Sequence, residues 1–172
     1  MKTTHLVITL LGLFTVGTLF AADSTKTVSR IKVTFVTPEK FTDVKDDWIS
    51  SDGYRDHVLE ELKAQIESIA RTCLAEGQQL EVKVTDIDLA GDFEPARGVD
   101  FNHIRILREI YPPRMELEFR LIGADGKVVS EGKRHLQGLG YLMTAVLPTS
   151  DPLRYDKDLI RSWMRQEFKR SS

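Results

Sequence analysis

The stretch MELEFRLIGADGKVVSEGKRHL, residues 115–136, decides the fold class. Met115, Leu117, Phe119 and Leu121 alternate with Glu116, Glu118 and Arg120, the period-two signature of a strand with one face buried and the other in water. Ala124, Asp125 and Gly126 then supply a turn that favours positive φ, and residues 128–136 return as the partner strand. The stretch predicts a β-hairpin, and with it an antiparallel sheet.

Upstream, the alternation recurs at Leu80, Val82 and Val84, with Glu81, Lys83 and Thr85 on the other face. Strict continuation would turn Asp86 inward, yet Ile87 and Leu89 are the apolar residues, so the phase slips by one near Thr85 and Asp86, as at a β-bulge. Asp86 and Asp88 then fall on the polar face. Residues 31–35 alternate as a first strand that stops before Pro38. The acid-rich segment that follows reads as a loop pinned by Phe41, Val44, Trp48 and Ile49.

Leu59, Leu62, Ile66, Ile69 and Cys73 are spaced by three, four, three and four within residues 54–74, which predicts an amphipathic helix with Cys73 on its buried stripe. Ser51 or Asp52 is placed to cap its start, and Gly77 stands where a left-handed residue ends it. Residues 103–110 fit a strand through Ile104 and Ile106 or a short helix through Ile106, Leu107 and Ile110, with the strand preferred, before Tyr111, Pro112 and Pro113 break the pattern. Residues 138–148 are apolar and Gly-containing without a period. A second helix, capped by Asp156, carries Leu159, Ile160, Trp163, Met164 and Phe168 on one side and Arg161, Arg165, Lys169 and Arg170 elsewhere. The expected class is α+β: an antiparallel sheet of four or five strands with two amphipathic helices packed on one face.

The N-terminus has Lys2, an apolar run over residues 6–20, then Ala21 and Ala22. That order is a secretory signal peptide; a membrane span is disfavoured because the run is shorter than the roughly 20 residues needed and contains Gly12 and Gly17. Residues 1–22 are expected to be a signal peptide cleaved near Ala21 or Ala22, leaving residues 23–172 as a single α+β domain in the periplasm with no membrane span. Losing Lys2 shifts the formal net charge from −2 to −3, which argues against nucleic-acid binding. Cys73 is the single cysteine, so no internal disulfide forms.

Taken together, VTDIDLAGD from Val84, Ile104-Arg105, IYPPRMELEFRL from Ile110, DGKVVSEG from Asp125, YDKDLIRSWM from Tyr155 and PEKFTD from Pro38 give the chain its likeness. It resembles a family of Gram-negative exported proteins known only as a domain of unknown function. The resemblance covers nearly all of the mature chain and implies export, one domain and no established activity. The chain departs from the family in one respect: the family carries an acid shortly after the strand ending at Leu136, where this chain has Gln137 and Gly138.

Four acids, Asp86, Asp88, Asp92 and Glu94, fall within nine residues at a strand exit. An EF-hand loop fails, because Ala90 takes the fifth ligand position and Arg97 the twelfth. An irregular calcium or magnesium site at these four acids, or a carboxylate pair acting as general acid and base, are the weaker readings. The favoured one makes Asp86 and Asp88 structural anchors that accept loop N–H groups or pair with Arg97, Arg105, Arg108 or Arg114, with Asp92 in solvent. His57, His103 and His135 lack zinc spacing, no serine sits in a G-x-S-x-G elbow, and Gly138-Leu139-Gly140 lacks the third glycine of a dinucleotide loop. Tyr111 and Tyr141, with Arg105, Arg108 and Arg114, form the candidate interaction surface. The expectation is a non-catalytic periplasmic accessory or binding protein, without cofactor, whose partner is a protein or small ligand of the periplasm. The alternative is a small hydrolase, metal-independent or calcium-assisted, using Asp86 and Asp88.

Overall fold

The computed structural model describes residues 30–44, 52–94 and 104–168. The expected leader, Trp48, Ile49, Ser51, Arg97, His103, Lys169 and Arg170 lie outside them. In chain order the elements are β1 (Ile31–Phe35), α1 (Asp52–Cys73), β2 (Gln79–Asp88), β3 (Asp92–Phe93), β4 (Arg105–Ile106), β5 (Arg114–Ile122), β6 (Val128–Gln137) and α2 (Arg154–Glu167). Short 3-10 turns stand at Pro38–Lys40 and Tyr141–Met143.

The molecule is α+β, with a four-stranded sheet in the order β1-β2-β5-β6 and a separate ribbon of β3 with β4. The hairpin forms from β5 and β6, antiparallel, closed by Gly126 at φ 78. Lys127 N–H reaches Asp125 Oδ1 at 3.1 Å in the turn. One pair departs from the antiparallel expectation: β1 lies parallel to β2, with Ile31 opposite Leu80 and Phe35 opposite Val84. The reason is the 22-residue α1 between them. A crossover helix carries the chain back to its starting end, so the next strand runs the same way. Between Val84 and Asp86 the register with β5 shifts, making Thr85 the extra residue of a bulge, and Ile87 and Leu89 return to the core.

Both helices and one set of sheet side chains share a single buried cluster: Leu80, Val82, Val84, Met115, Leu117 and Phe119 with Leu62, Ile66 and Ala70 of α1 and Ile160, Trp163 and Met164 of α2. Phe119, Trp163 and Phe168 meet edge to face. The alternate sheet positions Lys83, Thr85, Glu116, Arg120, Glu131, Lys133 and His135 are exposed.

Two helix details correct the sequence reading. On α1 the most buried residues are Val58, Leu62, Ile66, Ala70 and Leu74, while Ile69 and Cys73 are only partly buried. A run stepping by four turns about 40° per step, so the stripe slants round the helix and leaves Cys73 at its margin. On α2 the helix begins at Arg154, which puts Asp156 inside the first turn, and Leu153 at the N-cap contributes no side-chain cap. Asp151 builds the turn instead: its Oδ1 accepts Leu153 N–H at 2.8 Å and its carbonyl accepts Arg154 N–H at 3.3 Å.

Candidate interaction surface

The exit of β2 is held by residues 41–44, which run beside it. Asp43 N–H donates to Ile87 O at 2.9 Å, and Leu89 N–H donates to Asp43 O at 3.3 Å. Asp86 fastens the two together: Oδ1 accepts Thr42 N–H at 2.7 Å and Ile87 N–H at 2.9 Å, and Oδ2 accepts the Thr42 hydroxyl at 2.7 Å. Asp88 stands opposite Arg114 in the ladder and accepts its Nη1 at 2.8 Å. Burial raises the Asp88 pKa against the pull of Arg114, and the nearby Asp43 and Asp86 push the same way as burial.

Asp92 Oδ1 accepts Phe93 N–H at 2.7 Å, and Glu94 Oε1 takes Arg108 Nε at 3.0 Å and Tyr111 OH at 3.4 Å. The four acids thus face different donors. Among the described residues, no group of three or more His, Cys, Asp or Glu is placed to hold a metal ion.

Arg105 is turned inward. Its Nη1 donates to Asp43 Oδ2 at 2.6 Å and Gly91 O at 2.8 Å, and its guanidinium lies 4.7 Å over the Phe93 ring. Gly91, at φ 81, makes this closure possible, because a Cβ there would lie 2.8 Å from Ile106 O. Behind it sits Asp156, only 3% exposed, whose Oδ1 accepts Ala90 N–H at 3.0 Å. Burial pushes its pKa up to about 7; Arg105 pulls it down and Asp43 pushes it up.

Asp43 and Asp156 are the residues the sequence reading did not single out in these roles. A signal existed for the second: Asp156 falls four and seven residues before Ile160 and Trp163, on the buried stripe of its own helix.

Arg108, Tyr111 and Tyr141 come together where the loop after β4 meets the segment after β6. Tyr141 is buried, donating its OH to Arg108 O at 3.0 Å and standing edge to face with Tyr155 at 4.8 Å. Burial raises its phenol pKa, against the bond to Arg108 O. Gly138 N–H to Pro113 O, at 2.9 Å, is the second clasp between the loops. Arg154 covers Tyr155 at 4.5 Å and donates to Thr149 O and Asp151 O, tying the far end of the segment to the start of α2.

What these clasped loops present outward is apolar: Ile110 is 66% exposed, Leu139 76%, Met143 89% and Leu147 78%. Large aliphatic side chains in an aperiodic Gly- and Pro-containing segment were the sequence signal for this surface. The outer sheet face differs, with depressions of about 540 Å³ and 270 Å³ lined chiefly by charged side chains, among them Glu118 and Lys133.

Residues 29–166 match the family described as protein of unknown function, DUF3016, and the chain belongs to that family. No match was found among the curated proteins or among the solved structures. No helix among the described residues is long and apolar enough to cross a membrane.

Proposed function

We propose that this member of a family without an assigned activity is a non-catalytic binding protein of the cell envelope, exported to the periplasm and docking a protein partner through its clasped loops. The observation that carries the reading is the exposure of Ile110, Leu139, Met143 and Leu147 on two loops fixed to one another by Tyr141 and Gly138. Apolar side chains held outward on an ordered support are what a protein interface buries at its centre. Arg108 and Arg114, each about two-fifths exposed, supply a polar rim.

Export rests on the leader pattern at residues 1–22, and the lack of a cysteine near the cleavage junction argues against lipid attachment there. We take both helices to lie on one face of the sheet, a placement supported by the core cluster they share with one set of strand positions. A hydrolase built on Asp86 and Asp88 has less support, since both carboxylates are engaged by structural donors.

The test is photo-crosslinking in the cell from residues replaced by a photoreactive amino acid. Adducts should form from positions 139 and 143 and not from position 83 on the outer sheet face. Equal yields at all three, or none at any, reject the docking surface. Intact mass of the osmotic-shock fraction checks export, the expected chain starting at Ala22 or Asp23.

A further inference from the structure

Asp156 is the one buried charged side chain in the described core, and its setting is unusual for a carboxylate. It has no ion-pair partner within 4 Å among the described residues, and the bonds it accepts come from backbone N–H groups, that of Ala90 and its own. The guanidinium that acts on it, Arg105, gives Nη1 to Asp43 and Gly91 O, and its buried Nη2 makes no hydrogen bond among the described residues, to Asp156 included. A carboxylate removed from water without a counter-ion is destabilised far more than the neutral acid. Protonation and burial are therefore coupled here by geometry alone.

The helix turn that holds Asp156 also holds the docking loops. Tyr155 precedes it and packs on Tyr141; Arg154 is bonded to Thr149 O and Asp151 O; Leu153 is buried at the N-cap. The charged and titratable groups facing Asp156 come from three sides. Arg105 comes from β4, Asp43 from the segment after β1 and Tyr141 from the turn after β6. Tyr54 of α1 acts on Arg105. Asp43 disfavours a second negative charge, and Arg105 favours it without an ion-pair contact shorter than 4 Å.

We propose that Asp156 is a proton-controlled fastening of the docking surface: neutral, it seats the first turn of α2 against Ala90 and keeps the clasped loops in place; ionised, it loosens that turn and, through Tyr155 and Tyr141, the loops. The regulatory consequence rests on the docking reading above, whereas the coupling of proton to loop does not. Burial pushes the Asp156 pKa up to about 7, which places the change in the neutral range. The folded state binds this proton more tightly than the unfolded chain does, so the seat is complete in acid and is lost as pH rises through neutrality.

The experiment follows the Ala90 amide, the Tyr141 ring and the amides of residues 139–147 by NMR from pH 5 to 8.5 in the full mature chain. All three sets should shift with one shared midpoint, and the shift should vanish in Asp156→Asn, which keeps the acceptor for Ala90 and cannot ionise. Imidazoles are the usual source of a neutral-range transition, so a His57→Gln, His103→Gln, His135→Gln chain is the control and should retain it.

The proposal is overturned if the Ala90 amide does not titrate, if it titrates without Tyr141 and the loop following, or if the histidine variant abolishes the transition. Should Asp156→Asn not fold, the wild-type titration and the histidine control still decide. Crosslinking from position 143 should fall severalfold between pH 6 and pH 8 in the wild type. Absence of crosslinks at every pH sinks the docking reading, and the NMR coupling is judged separately.

Discussion

Asp86 satisfies three donors with one carboxylate, two of them from Thr42, which lies 44 residues upstream. Asp86→Asn keeps the shape and replaces charge-assisted bonds with neutral ones, so urea denaturation should show a loss of about 1–3 kcal/mol. Asp92→Asn, whose exposed carboxylate meets only the next N–H among the described residues, should change stability by less than about 0.5 kcal/mol. Asp156 behaves in the opposite sense to an ordinary surface acid. Its folded pKa, about 7, stands above the ordinary 3.8, so the carboxyl contributes no penalty below about pH 4 and an increasing one up to about pH 7. Asp156→Asn should match the wild type near pH 4 and exceed it at pH 8 by at most roughly 4 kcal/mol, measured as the difference in unfolding free energy. The position of Asp86 at a strand exit was legible from the phase slip, but its donors were not, because no local pattern contains a contact across 44 residues. Asp156 was legible as a helix-start acid; a shift of three residues in where the helix begins separates a solvent-side cap from a buried carboxyl.

Among the elements, the hairpin and the bulge could be read because each is written in a few consecutive residues: alternation, a turn with Gly126, a one-residue slip. The parallel pairing of β1 was also written, as strand, helix, strand, but only across the whole of residues 31–88. Of the β3 and β4 ribbon, β4 falls in the stretch where Ile104 and Ile106 favour a strand, though it spans only Arg105–Ile106, and β3, two residues long, is too short for any period to show. The ribbon's integrity depends on Gly91, where positive φ coincides with close neighbours on three sides: the backbone Ile106 O at 2.8 Å and the side-chain atoms Leu107 Cδ2 at 2.9 Å and Arg105 Cγ at 3.0 Å from an added Cβ. Gly126 has a similar φ and nothing within 4 Å. The two alanine variants separate strain from crowding. Gly126→Ala should lower unfolding free energy by about 1–2 kcal/mol, the conformational term alone. Gly91→Ala should lose that and more, and should in addition disturb the Arg105 to Asp43 pair, seen as a change in the Asp43 and Arg105 NMR signals that Gly126→Ala does not produce.

At the scale of the whole molecule the two ends of the sheet's chemistry are kept apart. Replacing Leu139 and Met143 together by serine removes side chains that are 76% and 89% exposed, so thermal unfolding should scarcely move while crosslinked partner falls; a large drop in melting temperature would show that these residues support the fold. The outer sheet face carries its charges in register. Lys32, Glu81, Arg120 and Glu131 follow one another across β1, β2, β5 and β6, and Lys83, Glu118 and Lys133 form the next row with the opposite order. Each charge is bordered by its opposite along the row, and on β2, β5 and β6 by an opposite along the strand, so neighbouring charges about 5–7 Å apart offset one another within a Debye length of about 8 Å at physiological salt. A neighbour approaching this flank at close range finds repulsion as often as attraction and has no fixed register in which to settle. Such a surface would act as a colloidal spacer, and on the docking reading proposed above it leaves the loop end as the direction of productive approach.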